Sequence, residues 1–524
     1  MTSLFPLREK RILRYVISFV IISRVLLMFR SEERIYSRPY LEDSYYLYNC
    51  AEHFAHGEGF TCDGKQPTNG VQPLIVILYA PLFLIAGADK LLALKLGFIL
   101  VALFDSLSVI FIARLVRTLQ KKPSAEDSPW KSPPIIAAIL WAGLYPIFVH
   151  TGGGLETGIY STMLLASLYW YAKLSRVRDE GQEISVMQWV SLGIILGFTV
   201  LARIDAVFLV VILACYELYR FKGRGLTSGA IISLSSFIVS SPWWWYNYTI
   251  FGSFMPQSGA SETLNGGMIG ENIIRGASVI ADILTVFFFA PYYDIPGWSI
   301  SLLVIAIPGI VLCIIIKYKL SEFMHSEFNL AVLIPYLFFC GALGIYYIFF
   351  FSAPHFLPRY LHPFRIVWLV LFSCAAPKLF QIGNDYYRQS KSITLATTGT
   401  LALCAFGFSA WSYLHYFTIN KPNDFYAMGR FALRHSAERI GMEQSGTAGF
   451  IAANVINLDG KVNIEALRAR QKNDIGAYIE SQKLDYIADW REFSEPMVAS
   501  AAKHGGKFQE VDSIGRVIIF KRVQ

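Results

Sequence analysis

Residues 73–87 read PLIVILYAPLFLIAG, an apolar stretch opened by one proline and interrupted by another. A helix needs about 20 mostly apolar residues to cross a bilayer, so this segment is short for a span. Its reading decides the topology of everything that follows, because basic residues collect in cytoplasmic loops. If 73–87 does not cross, the basic loops at 114–122, 173–178, 220–224, 317–319 and 378–391 all share the side of the N-terminus. If it crosses, every one of them is sent outside. We therefore expect 73–87 to be re-entrant or to lie at the outer surface.

Working outward, apolar stretches long enough to span lie at 12–29, 93–116, 134–150, 157–173, 186–202, 206–220, 229–248, 299–316, 329–351, 362–380 and 393–414. The expectation is an α-helical polytopic membrane protein of about eleven spans. The N-terminus is then cytoplasmic and the C-terminus extracytoplasmic. The segment 273–290, broken by Arg275 and Asp282, reads as interfacial rather than as a further crossing. Arg8, Lys10 and Arg11 precede the first span and no small-residue cleavage site follows it, so it reads as an uncleaved anchor.

Composition agrees. Of 524 residues, 54% are hydrophobic and 16% charged, against about 25% charged in soluble domains. The net charge of +8 is accounted for by cytoplasmic loops, and no nucleic-acid-binding motif is present. Cys215, Cys313, Cys340, Cys374 and Cys404 sit in apolar runs and read as small packing residues. Cys50 and Cys62 share one polar outer loop, where a disulfide is allowed; two unrelated thiols is the other reading.

Residues 415–524 differ from the membrane module 1–414. The runs GFIAANVINL, LDYIADW and GRVIIFKRV read as strands, and 423–439, 463–482 and 493–504 as amphipathic helices. A small extracytoplasmic α/β domain is expected, serving to bind acceptor, to regulate access, or only to brace the membrane module.

The outer face then gathers 30–92, 151–156, 203–205, 249–298, 352–361 and 415–524, which hold nearly all the polar residues of interest. In the first outer loop, Glu42 and Asp43 stand side by side. Tyr45, Tyr46 and Tyr48 with Ala51, Phe54 and Ala55 continue as an interfacial helix that Gly57 and Gly59 end. Pro67, Thr68, Asn69 and Gly70 then turn the chain back to the membrane.

The run EDSYYL…AEHFAHGEGF…PTNGVQPL resembles the first outer loop of membrane GT-C glycosyltransferases. That superfamily includes protein mannosyltransferases, aminoarabinose transferases and bacterial arabinofuranosyltransferases. The resemblance continues in order through GGLETGIY (153–160), LARIDA (201–206), PWWWYNYTIFG (242–252), PRYLHP (358–363) and VINLDGKVN (455–463). It implies an inverting enzyme of the bacterial inner membrane. Its donor would be a polyprenyl-phosphate sugar, its acceptor a hydroxyl of a glycan, lipid or protein, and the lipid tail would lie between helices. The family's acidic pair is commonly Asp-Asp or Asp-Glu. Here it is Glu42-Asp43, and either carboxylate is a candidate base for the attacking hydroxyl. Arg359 is the candidate cation for the leaving phosphate, with His362 assisting.

Other polar residues carry two readings each. Glu156 is either a helix-start acid favoured by the dipole or a carboxylate that binds substrate or a divalent cation. Arg203 and Asp205 either pair at the interface or bind substrate. Asn69 and Gln72 either make a turn or bond sugar hydroxyls. Asn457, Asp459 and Asn463 read as a turn. His53, His56 and Glu52 read as solvated rather than metal-binding, and Trp243–Trp245 as an interfacial belt rather than a sugar-stacking surface. The run 59–66 nearly matches a phosphate-binding loop, but Gln66 stands where the magnesium-binding Ser or Thr belongs. A transporter or flippase of a lipid-linked glycan is the alternative function. Acids clustered on one face, without repeated halves, favour the enzyme over it. A catalytically inert scaffold is a third reading.

Overall fold

A computed structural model describes residues 5–121, 132–262, 269–285, 319–351, 353–389 and 423–523. The expected spans 299–316 and 393–414, and with them Cys313 and Cys404, lie outside the described residues.

Among the described residues, four helices are long and apolar enough to cross a membrane: Leu7–Phe29, Lys90–Leu119, Leu330–Phe349 and His362–Gly383. The pair Pro133–Gly143 and Tyr145–Thr151, bent by 62°, makes a fifth if it is one span. Pro146 has no N–H to give to the preceding turn, and Leu144 before the second helix is extended, so the helix breaks there. Lys90–Leu119 is about 45 Å long at ~1.5 Å per residue. Asp89 caps it, accepting from the Leu92 N–H at 2.9 Å.

The expected spans 157–173 and 186–202 appear as the helices Thr157–Asp179 and Val186–Ala202. Those at 206–220 and 229–248 run together as Val207–Phe251, with the chain redirected at Lys222 by a φ of 50°. The deciding segment forms the helix Pro73–Ala86, 14 residues and about 21 Å long, shorter than a hydrocarbon core of about 30 Å.

The last hundred residues build a five-stranded sheet from β1 (Ile440–Met442), β2 (Val455–Asn457), β3 (Tyr486–Trp490), β4 (Phe508–Ile514) and β5 (Val517–Arg522). Its order is β2-β1-β3-β5-β4. β1 runs parallel to β2 and β3, whereas β5 is antiparallel to β3 and β4. Period-two alternation gives each sheet face its own core. Tyr486, Ala488, Val517 and Ile519 pack with Phe425, Met428 and Met442 on one face. Ile487 and Phe520 pack with Leu458, Ile479 and Met497 on the other.

Three details depart from the sequence reading. GFIAANVINL is not one strand: Gly446–Ile451 is helical and only Val455–Asn457 extends. The stretch 463–482 is two helices, Ile464–Gln471 and Ile475–Ser481, separated where Asn473 takes a φ of 53°. β1 and β4 carry too weak a pattern to be read: β1 has three residues, and β4 is exposed along most of its length.

The α/β unit is seated on the helices. Phe450 belongs to the large helical core, 5.6 Å from the Tyr45 ring. The Lys90 ammonium stands over the Phe450 ring and donates to its carbonyl at 2.9 Å. The Asn423 amide donates to the Tyr36 carbonyl at 2.6 Å.

Candidate active site

Between the helices and the α/β unit lies a cavity of about 350 Å³. Its polar wall includes Asp43, Gln72, Glu156, Arg203, Asp205, Glu262, Arg359 and Lys461, and its aromatic wall Trp244, Phe254, Tyr346, Tyr347, Phe351, Phe356 and Tyr360. That size and mixture of apolar walls with a few convergent polar groups suit a small polar ligand.

Asp43 sits at the start of the helix Ser44–Ala55, yet its side chain caps nothing. It points into the cavity instead, 3.8 Å from Arg359 Nη1 and 3.6 Å from Lys461 Nζ. Burial pushes its pKa up, but the charges of Lys461 and Arg359 outweigh burial and hold it below the usual carboxylate value. The group is a carboxylate at neutral pH. Arg359 is stacked against Phe356 and Tyr360, its guanidinium carbon 4.9 and 5.1 Å from the ring centres. Its Nε is buried without a hydrogen-bond partner among the described residues.

A second charged group lines the same cavity. Arg203 Nη2 donates to Asp205 Oδ2 and to the Tyr347 hydroxyl, both at 2.8 Å, and Tyr347 donates to Asp205 at 2.6 Å. Arg203 Nη1 reaches Glu156 Oε1 at 3.4 Å. Glu156 begins the helix Thr157–Asp179 but makes no capping bond. Each charge here is buried and paired, as burial requires.

Among solved structures, ArnT from Cupriavidus metallidurans in the apo state aligns over 97% of this chain and 97% of its own, at 13% identity and a TM-score of 0.53. The chain has the ArnT fold. ArnT bound to undecaprenyl phosphate aligns over 97% of this chain and 98% of its own, at 12% identity and a TM-score of 0.47. No family model and no curated protein matches the chain. The GT-C resemblance read from scattered motifs thus extends to the fold of ArnT along nearly the whole length.

Within this ArnT-like fold, six of the residues singled out from sequence meet in one cavity: Asp43, Gln72, Glu156, Arg203, Asp205 and Arg359. Three do not line it. Glu42 turns to the α/β unit, where its carboxylate accepts from the Thr447 N–H at 2.8 Å and from the Thr447 hydroxyl. Burial raises its pKa to about 8, against the opposing hydrogen bonds from Thr447. Asn69 is buried and holds the Gln257 N–H at 2.9 Å. His362 is buried against Trp141 and His150, with ring centres 6.2 and 5.4 Å away. Cys50 and Cys62 are unbridged, and the Cys62 thiol donates to the Tyr46 carbonyl at 3.4 Å.

His53 pairs with Glu58 and Glu52 with Lys90. Among the described residues, no group of three or more His, Cys, Asp or Glu side chains is gathered for a metal ion.

The sequence reading missed Lys461, Glu262, Tyr347 and Tyr360. Lys461 lay inside the quoted VINLDGKVN stretch, but a lysine in a turn reads as solvated until the fold folds it inward. Here its side chain is only 14% exposed and meets Asp43, Glu262 at 3.1 Å and Asp459 at 3.8 Å.

Proposed function

We propose that the chain is an inverting glycosyltransferase of the bacterial inner membrane. It moves a sugar from a polyprenyl-phosphate donor to an acceptor hydroxyl on the extracytoplasmic side. The position of Asp43 carries this reading: a carboxylate inside a cavity of about 350 Å³, facing cations from two distant parts of the chain.

The acceptor oxygen attacks the anomeric carbon on the face opposite the phosphate. The new C–O bond forms as the bond to the phosphate oxygen breaks. Asp43 takes the hydroxyl proton, and the lipid phosphate leaves with the bonding pair. Arg359 supplies the charge that this leaving group needs, and its fork matches a phosphate. The unpartnered Nε of Arg359 supports a ligand there, since a buried donor left unmade is costly.

Donor binding also tunes the base. When the phosphate draws Arg359 toward itself, Asp43 loses part of the field that lowers its pKa and becomes a stronger base. Glu156, held by Arg203, and Gln72 face the same space and are the groups for sugar hydroxyls. The acceptor is a hydroxyl of a glycan, a lipid or a protein.

The test is to incubate the purified full chain in lipid with a panel of polyprenyl-phosphate sugars and follow product by mass spectrometry. Transfer from at least one donor is expected. Hydrolysis or inertness across a panel that includes pentoses and hexoses would overturn the reading.

A further inference from the structure

We propose that Lys461, delivered by the C-terminal α/β unit, is a second cation for the donor's phosphate, so that the catalytic cavity is completed only when this unit is docked. The inference rests on the polyprenyl-phosphate reading above and assigns a residue to the same site.

Lys461 is built into its place. Gly460 takes a φ of 82°, a conformation side chains disfavour, and so turns the loop. Asp459 accepts the Lys461 N–H at 2.7 Å and Asn457 accepts the Gly460 N–H at 3.1 Å. The Lys461 carbonyl accepts from the Gln257 amide at 3.2 Å, and that amide also donates to the Thr68 hydroxyl at 2.8 Å. The Ser261 hydroxyl donates to the Asp459 carbonyl at 3.0 Å. Three separate segments, at 68–72, 257–262 and 457–463, are thereby fastened into one rim. Gly70 is where they touch: a Cβ there would overlap the Lys461 carbonyl.

The side chain then passes over the Phe356 ring, 5.1 Å from its centre, to the same carboxylate that Arg359 faces. Three carboxylates hold it: Asp43, Glu262 and Asp459. A lysine needed only to bridge two structural elements is satisfied by one carboxylate. Three keep it charged in a part-buried site and leave it a surplus of acidic partners to exchange for an arriving phosphate. Two cations converging on one point fit a phosphate, which presents several oxygens at once. During the reaction the ammonium donates hydrogen bonds to the departing phosphate, and no proton changes owner.

The test measures binding of polyprenyl monophosphate to the full chain in nanodiscs, with polyprenol and inorganic phosphate as comparison ligands. Lys461→Met should weaken polyprenyl monophosphate by about tenfold or more, the loss of one charge-assisted bond, and leave polyprenol unchanged. Glu262→Gln should act in the opposite direction, because it releases the ammonium for phosphate. Inorganic phosphate following the same order would place the recognition at the head group alone; no dependence on Lys461 with either phosphate ligand would overturn the proposal.

A merely structural lysine would lose binding in both variants, so weaker binding by Glu262→Gln also overturns it. If Lys461→Met does not fold, the sign of the Glu262→Gln effect decides alone. Asp43→Asn separates this proposal from the base assignment: it should bind polyprenyl monophosphate at least as well as the parent while losing transfer.

Discussion

The Arg359 guanidinium stands 3.8 Å from the Asp43 carboxylate, close enough to fix its charge and too far for a tight bidentate pair. The arrangement leaves Arg359 free to change partners. Replacing it with Lys keeps the charge but removes the fork, and transfer should fall about tenfold. Arg359→Gln removes the charge as well and should lower kcat by about 10²–10³, as for loss of one preorganised stabilising group. Steady-state kinetics with a fixed donor would check the order.

The field on Asp43 predicts a pH signature. The acid limb of kcat/KM reports the free enzyme, where Lys461 and Arg359 hold Asp43 below the usual carboxylate value despite burial. The acid limb of kcat reports the donor complex, where on our proposal the phosphate takes up those cations. The second limb should lie at higher pH than the first. Coincident limbs would mean that the cations stay with Asp43 throughout.

Much of this was legible in the sequence, for a physical reason. Apolar runs announce themselves because lipid tolerates little charge over some twenty residues, and among the described residues helices form where those runs lie. Side chains at the ends of those runs, such as Glu156, Arg203 and Asp205, stand out because ionisable groups near lipid are costly. The adjacent acids Glu42 and Asp43 were not separable by sequence, since their directions depend on how the helix Ser44–Ala55 starts and on what docks above it. Lys461 was hidden for the same reason: its partners come from loops far apart in the chain. His362 looked like a site residue by its nearness to Arg359, but the turn after Tyr360 carries it into the helix His362–Gln389 and away from the cavity.

Glu42 gives a prediction for the docked unit. Its carboxyl is raised to about 8, mainly by burial, so the folded state holds this proton between the ordinary carboxylate range and about 8. The stability it contributes is therefore full at acid pH and is lost as pH rises through about 8. Protection of residues 423–523 from protease should weaken as pH rises from the ordinary carboxylate range to about 8, and level off above it, in the parent chain and much less in Glu42→Gln. Equal pH dependence in both would assign the effect elsewhere, with Asp489, raised to about 7 by burial, the next group to vary.

Gly70 tests the rim. Gly70→Ala places a methyl group against the Lys461 carbonyl, and backbone cannot yield as a flexible side chain can. Overpacking of this kind costs about 1–3 kcal/mol. The variant should lose thermal stability by that order and bind donor more weakly, whereas a glycine valued only for turn flexibility would leave the rim intact.

We propose that Asp43 removes the acceptor's proton while its neighbour Glu42 only holds the α/β unit. The most direct measurement compares Asp43→Asn and Glu42→Gln in single-turnover transfer from a polyprenyl-phosphate sugar. Asp43→Asn should lose about 10²–10⁴-fold in rate with donor binding intact, and Glu42→Gln should retain most of the rate. Full activity in Asp43→Asn, or its loss in Glu42→Gln alone, would contradict this division of roles.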